Sequence, residues 1–167
     1  MNRPTDSSVT IDYHLEGHGW STCWIRNEGG VYEIPITHVF SDPVDDCMGS
    51  LLEIMGGKPV DRFNWFSEPN GNQIVLREVP DEAQNIVVGV FGFSADWGDK
   101  IGEFDIGEDD PELEFELTKV QLVRMFYFEF KKIFELLKDR DFAEARKEDF
   151  PSAEFSSFET AALKYMD

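Results

Sequence analysis

The sequence predicts an α+β fold: a mainly antiparallel twisted sheet of about six to eight strands packed against a long amphipathic helix, with one shorter helix after the third strand. Three observations lead there. Residues 118–138 place apolar side chains at helical spacing, several earlier segments alternate with period two, and residues 86–93 are almost wholly apolar.

In chain order, Val9, Ile11, Tyr13 and Leu15 alternate with Thr10, Asp12, His14 and Glu16, the pattern of a half-buried strand. Gly17-His18-Gly19 turns the chain, residues 20–26 return, and Asn27-Glu28-Gly29-Gly30 turns it again into a third strand over 31–36. Pro35 has no N–H for a ladder, which puts that strand at an edge or makes it end there. Ser41 or Asp42 then caps a helix with Pro43 in its first turn; Val44, Cys47, Met48, Leu51, Leu52 and Met55 follow helical spacing until Gly56-Gly57 stops it. Phe63, Trp65 and Ser67 share one side of a strand, a hairpin turn is expected at Glu68-Pro69-Asn70-Gly71, and residues 73–79 return. Residues 80–85 read as a loop. Residues 86–93 read as a central strand covered on both faces, where Gly89 and Gly92 would admit a large neighbour such as a helix phenylalanine. Residues 96–111 are glycine-rich and acidic, a loop or irregular hairpin.

Leu113, Phe115 and Leu117 then alternate with Glu112, Glu114 and Glu116, placing three glutamates on the outside of a strand. It feeds the long helix, whose Thr118 and Gln121 have capping-box spacing. Leu122, Phe126, Phe130, Ile133 and Leu137 form its apolar face, widened by Val123, Tyr127 and Phe134. After Lys138 the chain is charged, with Phe142, Phe150, Phe155 and Phe158 as anchors and a short helix near 157–165. The 167 residues make one domain, with 1–8 and the end after 140 loosely attached.

Charge sets the first limits on function. The net charge is −19, and residues 1–118 hold 24 acidic against 6 basic groups, whereas residues 119–147 hold 8 basic against 5 acidic. So negative a surface repels nucleic acid and anionic membranes and attracts basic proteins. Cys23 and Cys47 are too few for a disulfide framework, residues 1–8 lack the apolar core of a signal peptide, and the longest apolar run is too short to span a bilayer. A soluble cytoplasmic protein is expected.

Eight carboxylates crowd residues 103–116 without a basic neighbour: Glu103, Asp105, Glu108, Asp109, Asp110, Glu112, Glu114 and Glu116. Such a run is either a solvated face or a docking surface for a basic partner. Asp105, Glu108, Asp109, Asp110, Glu112, Glu114, Glu116 and Trp97 are the candidate partner-binding residues. The spacing misses the alternating pattern of a calcium loop. His14, His18 and Cys23 lack a matching fourth ligand for zinc, and Cys47 sits on an apolar helix face. No serine elbow, zincin pair, Walker loop or dinucleotide fingerprint occurs. No catalytic residue, metal or cofactor is therefore assigned. Trp65 and Phe66 would anchor an interface if exposed, although Trp65 is better placed in the core.

The early meander, Phe40-Ser-Asp-Pro-Val-Asp-Asp46 opening a helix through Leu51-Leu-Glu-Ile-Met55, then Trp65-Phe-Ser-Glu-Pro-Asn-Gly71 and Gln73-Ile-Val-Leu-Arg-Glu78, resemble in their organisation and acidity the immunity proteins of bacterial polymorphic and contact-dependent growth inhibition toxins. The resemblance covers about residues 9–138. It implies a non-catalytic cytoplasmic inhibitor that binds the C-terminal domain of a cognate toxin, often a basic nuclease. The competing readings are a small hydrolase using paired carboxylates, and a general acidic adaptor or DNA mimic.

Overall fold

The computed structural model describes residues 8–68, 70–94 and 110–167. The chain opens with an antiparallel meander of β1 (Thr10–Gly17), β2 (Trp20–Asn27) and β3 (Gly30–Thr37). After α1 (Pro43–Met55) comes a second antiparallel sheet of β4 (Val60–Phe66), β5 (Asn70–Val79), β6 (Glu82–Ser94) and β7 (Leu113–Thr118). Then follow α2 (Lys119–Leu136), α3 (Arg140–Ala143), a 3-10 turn (Lys147–Asp149) and α4 (Ser152–Met166).

The α+β class and the helix after the third strand are observed, but the strands form two sheets, in the orders β1-β2-β3 and β4-β5-β6-β7, instead of one. The break falls between β3 and β4, which share no ladder. Pro35, paired across from Thr22, leaves β3 without that N–H, and α1 intervenes to pack against β4. Side chains bridge the two sheets instead.

The two inner faces share one core. Ile11, Tyr13, Leu15, Cys23, Ile25, Ile34 and Ile36 come from the first sheet; Phe63, Trp65, Ile74, Leu76, Ile86, Val88, Val90, Phe115 and Leu117 come from the second. Helix α2 lies on both, against β1 and against β6 and β7, and buries Leu122, Val123, Phe126, Tyr127, Phe130 and Ile133. Phe130 meets Tyr13 edge to face at 5.4 Å and stacks on Phe126 at 5.7 Å, while Trp65 lies 5.9 Å from Tyr13 and 6.3 Å from Phe126. Aromatic contacts therefore tie sheet to helix to sheet. Trp65 also donates its indole N–H to the Pro43 carbonyl at 3.0 Å, so its one polar atom is satisfied within the core.

Both helix starts follow local chemistry. Thr118 and Gln121 form the full capping box, and Asp42 caps α1 by accepting from the Asp45 N–H, with Pro43 at the first position. Lys119, in the first turn of α2 where the helix dipole disfavours a cation, is buried beside Glu78, its Nζ 2.7 Å from that carboxylate.

Several local expectations change. Asn70 and Gly71 already belong to β5, and Ser67 donates its N–H to the Asn70 carbonyl across the turn. Residues 82–85 are strand: β5 and β6 are joined by a tight turn at Pro80 and Asp81, with Asp81 in the left-handed region at φ 65°. Gly89 and Gly92 do not receive helix phenylalanines. A Cβ at Gly89 would meet the Phe91 ring of the same strand at 2.7 Å, and one at Gly92 would collide with the Glu112 carboxylate. Strand β6 is central, but its second face, at Val87, Phe91 and Phe93, is only half-buried.

The end after residue 140 is not loosely attached. Phe155, Phe158 and Ala162 are fully buried, Phe155 lies 5.0 Å from Phe134, and the Tyr127 hydroxyl donates to Glu159 at 2.9 Å. A sparse aromatic pattern hid this, because α4 needs only three buried positions to dock on α1 and α2. No helix among the described residues is long and apolar enough to cross a membrane.

Candidate functional site

Strand β7 carries the described part of the acidic run. Asp105, Glu108, Asp109 and Trp97, with most of the 96–111 loop, lie outside the described residues. Asp110 and Glu112 are exposed and Glu114 is half-buried. Glu116 is not the outward docking carboxylate that alternation suggests: only 6% exposed, it accepts a 3.4 Å hydrogen bond from Asn85 Nδ2, which also donates to Glu82 at 3.3 Å. Its face of the sheet is a row shared with Val87, its ladder partner, and not open solvent. Glu114 lines a small hollow with Arg77, Val87 and Phe91.

Glu112 is presented differently. Its backbone N–H donates to the Val90 carbonyl at 2.8 Å, which starts the β6–β7 pairing. Its carboxylate lies over Gly92, where only glycine leaves room, and accepts a hydrogen bond from the Tyr32 hydroxyl. Asn72 Nδ2 donates to that same hydroxyl at 3.2 Å. Tyr32 belongs to β3, Asn72 to β5 and Glu112 to the head of β7, so an exposed negative charge is fixed where the two sheets meet. Alternation along β7 points to Glu112; nothing local points to Tyr32, 80 residues before it, or to Asn72, 40 residues after Tyr32.

A second acidic surface is one that the sequence reading did not single out. Asp141, Glu144, Glu148 and Asp149 line an open cleft of about 670 Å³ with His18 and Gly19. Two backbone-directed bonds build it: Asp149 accepts the Gly19 N–H at 2.9 Å, and the Ala145 carbonyl accepts the His18 N–H at 3.0 Å. The turn meets them because Gly17, His18 and Gly19 all take positive φ, which two glycines make inexpensive. The three- and four-residue steps from Asp141 to Glu144 to Glu148 were the available signal. A third group opens α1: burial raises the carboxyl pKa of Asp42, Asp45 and Asp46, and neighbouring carboxylates add to the rise.

The other candidates separate. Cys23 is fully buried opposite Tyr13, while His14 is exposed on the far face of the same sheet and packs edge to face on Trp24 at 4.8 Å. The pleat thus parts His14 from Cys23. Burial pushes the Cys23 and Cys47 thiols far up. Trp65 is core, and Phe66 is buried between Phe40 at 5.5 Å and Phe93 at 5.7 Å, so neither forms an exposed anchor. Comparison with family models, with curated proteins and with solved structures finds no match.

Proposed function

We propose that this chain is a non-catalytic immunity-type inhibitor that binds a basic toxin domain, such as a nuclease, through carboxylates at the head of β7. The observation that carries the reading is Glu112: exposed, yet held by Tyr32, which Asn72 orients in turn. A charge fixed before encounter needs little ordering on binding, and in a chain of net charge −19 it sits in a field that steers cations toward it. A nuclease must gather lysines and arginines to hold phosphate, so its active face is complementary to such a surface.

The test is association of the purified chain with a toxin-like basic domain encoded beside it, followed by stopped flow from low to high salt. Wild-type association should slow as the screening length shrinks below roughly 8 Å, near 0.15 M salt. Asp110→Asn with Glu112→Gln should lower the on-rate and flatten the salt slope at unchanged melting temperature. Tyr32→Phe, which leaves every charge in place but frees Glu112, should weaken the complex mainly through dissociation. Equal rates and slopes for all three proteins would refute this docking surface, and turnover of a substrate by the chain alone would refute the inhibitor reading.

A further inference from the structure

A cleft of about 440 Å³ runs beside β1, between the last turn of α2 and the α3 segment. Its apolar surface comes from Leu15, Ile133, Leu136 and Phe142, and its cations are Lys132 and Arg146. Leu136 is 43% exposed, an unusual position for a leucine beside a concavity. The volume falls in the range of small-molecule pockets, and mostly apolar walls with a few fixed polar groups are their usual composition.

Charge identifies the occupant. Residues 119–147 form the basic stretch of an otherwise acidic chain, and this cleft gathers two of its cations. Arg146 stacks on Phe142 with its guanidinium carbon 4.3 Å from the ring centre, and donates through Nε to the Leu15 carbonyl at 2.8 Å and through Nη1 to the Phe142 carbonyl at 3.1 Å. Those partners are neutral, and among the described residues no carboxylate bonds its remaining donors, so the fixed guanidinium keeps its charge toward the cleft. Lys132 is shared with Glu129 at 3.1 Å, but that Glu129 oxygen also accepts the Tyr13 N–H at 2.9 Å. The wall also carries one carboxylate, Glu16, which accepts the Thr22 hydroxyl at 2.6 Å and keeps its charge, so the anion's place is at Arg146 and Lys132.

The same contacts argue against a peptide strand. β1 is an edge strand, yet its Tyr13 N–H and Leu15 carbonyl are already taken by Glu129 and Arg146. Two of the edge groups that a pairing strand would need are thus used, and beside them lies an apolar trough with a cationic end.

We propose that this cleft binds a small amphipathic carboxylate, its acyl or aryl tail against Leu136, Ile133 and Phe142 and its carboxylate at Arg146 and Lys132. The site is separate from Glu112 and does not depend on the inhibitor reading. Octanoate is the probe, with octan-1-ol as its uncharged counterpart, each titrated calorimetrically and by amide NMR into the full chain. Octanoate should bind saturably at one site, shift the amides of Leu15, Leu136 and Phe142, and bind about tenfold or more tightly than octan-1-ol. Leu136→Glu, an exposed change that spares the core, should weaken octanoate about tenfold by putting a like charge and a polar group in the tail path, and Lys132→Gln should weaken it severalfold. Octan-1-ol binding as tightly as octanoate, no saturable octanoate binding below its micelle-forming range, or an unchanged affinity in Leu136→Glu would each overturn the proposal.

Discussion

Tyr13→Phe should stabilise the protein. The ring of Tyr13 is fully buried between Trp65 and Phe130, and its hydroxyl has no hydrogen-bond partner among the described residues. Ser21, on the neighbouring strand, interacts with the phenol and lowers its pKa somewhat, but no bond of normal geometry joins the two hydroxyls; that of Ser21 is 2.6 Å from His38 Nε2. An unpartnered buried hydroxyl costs about 1–3 kcal/mol. Deleting the oxygen leaves a void of roughly 15 Å³, worth about 0.4 kcal/mol at about 24 cal/mol per Å³. The net expectation is a gain near 1 kcal/mol, or about 2–4 °C in Tm for a chain of this length.

Alkaline pH supplies an independent arm. Burial raises the Tyr13 phenol well above its ordinary value. Its folded pKa therefore exceeds its unfolded one, so the contribution is complete below about pH 10 and is lost as pH rises toward the folded pKa. Tyr13→Phe should lose less stability than wild type above pH 10. Urea unfolding with matched m-values, repeated across pH, measures both effects. A variant destabilised by about 1 kcal/mol or more would refute the reasoning, because it would mean that the hydroxyl is bonded, with Ser21 the group in reach.

Phe130→Ala removes the ring that ties Tyr13 and Phe126 together and should cost about 3–5 kcal/mol in chemical denaturation; a cost below about 1.5 kcal/mol would mean the two sheets do not share this core. His38 is held neutral by burial, which lowers its pKa, with Asp149 opposing. Its folded pKa lies below the unfolded one, so its share of stability is present above about pH 6.5 and is lost as pH falls through the folded value. His38→Gln, which keeps a partner for Ser21 but does not titrate, should flatten the stability profile between about pH 5 and 6.5, and an unchanged slope would contradict this.

Features set within one or two turns of chain were legible in the sequence. The capping box of Thr118 and Gln121, Asp42 and Pro43 at the start of α1, the apolar stripe of α2 and the alternation of β1 all depend on neighbours a few residues away. Pro35 likewise announced an edge strand, because a missing N–H is a property of the residue itself. Glu112 was legible as an outward carboxylate for the same reason.

What covers a face is a long-range question, and there the tertiary structure decided. Alternation puts Glu116 on the outer side of β7, but Asn85, 31 residues earlier, encloses it. The described strands divide into two sheets because β3 meets β4 through side chains and not through a ladder. Phe155 and Phe158 look like scattered anchors until α4 lies on α2. The cationic cleft exists only because Arg146 reaches across 131 residues of sequence to the Leu15 carbonyl. Periodicity records which side of an element is apolar; the partner that buries that side, or leaves it open for a ligand, is set by packing between segments far apart in the chain.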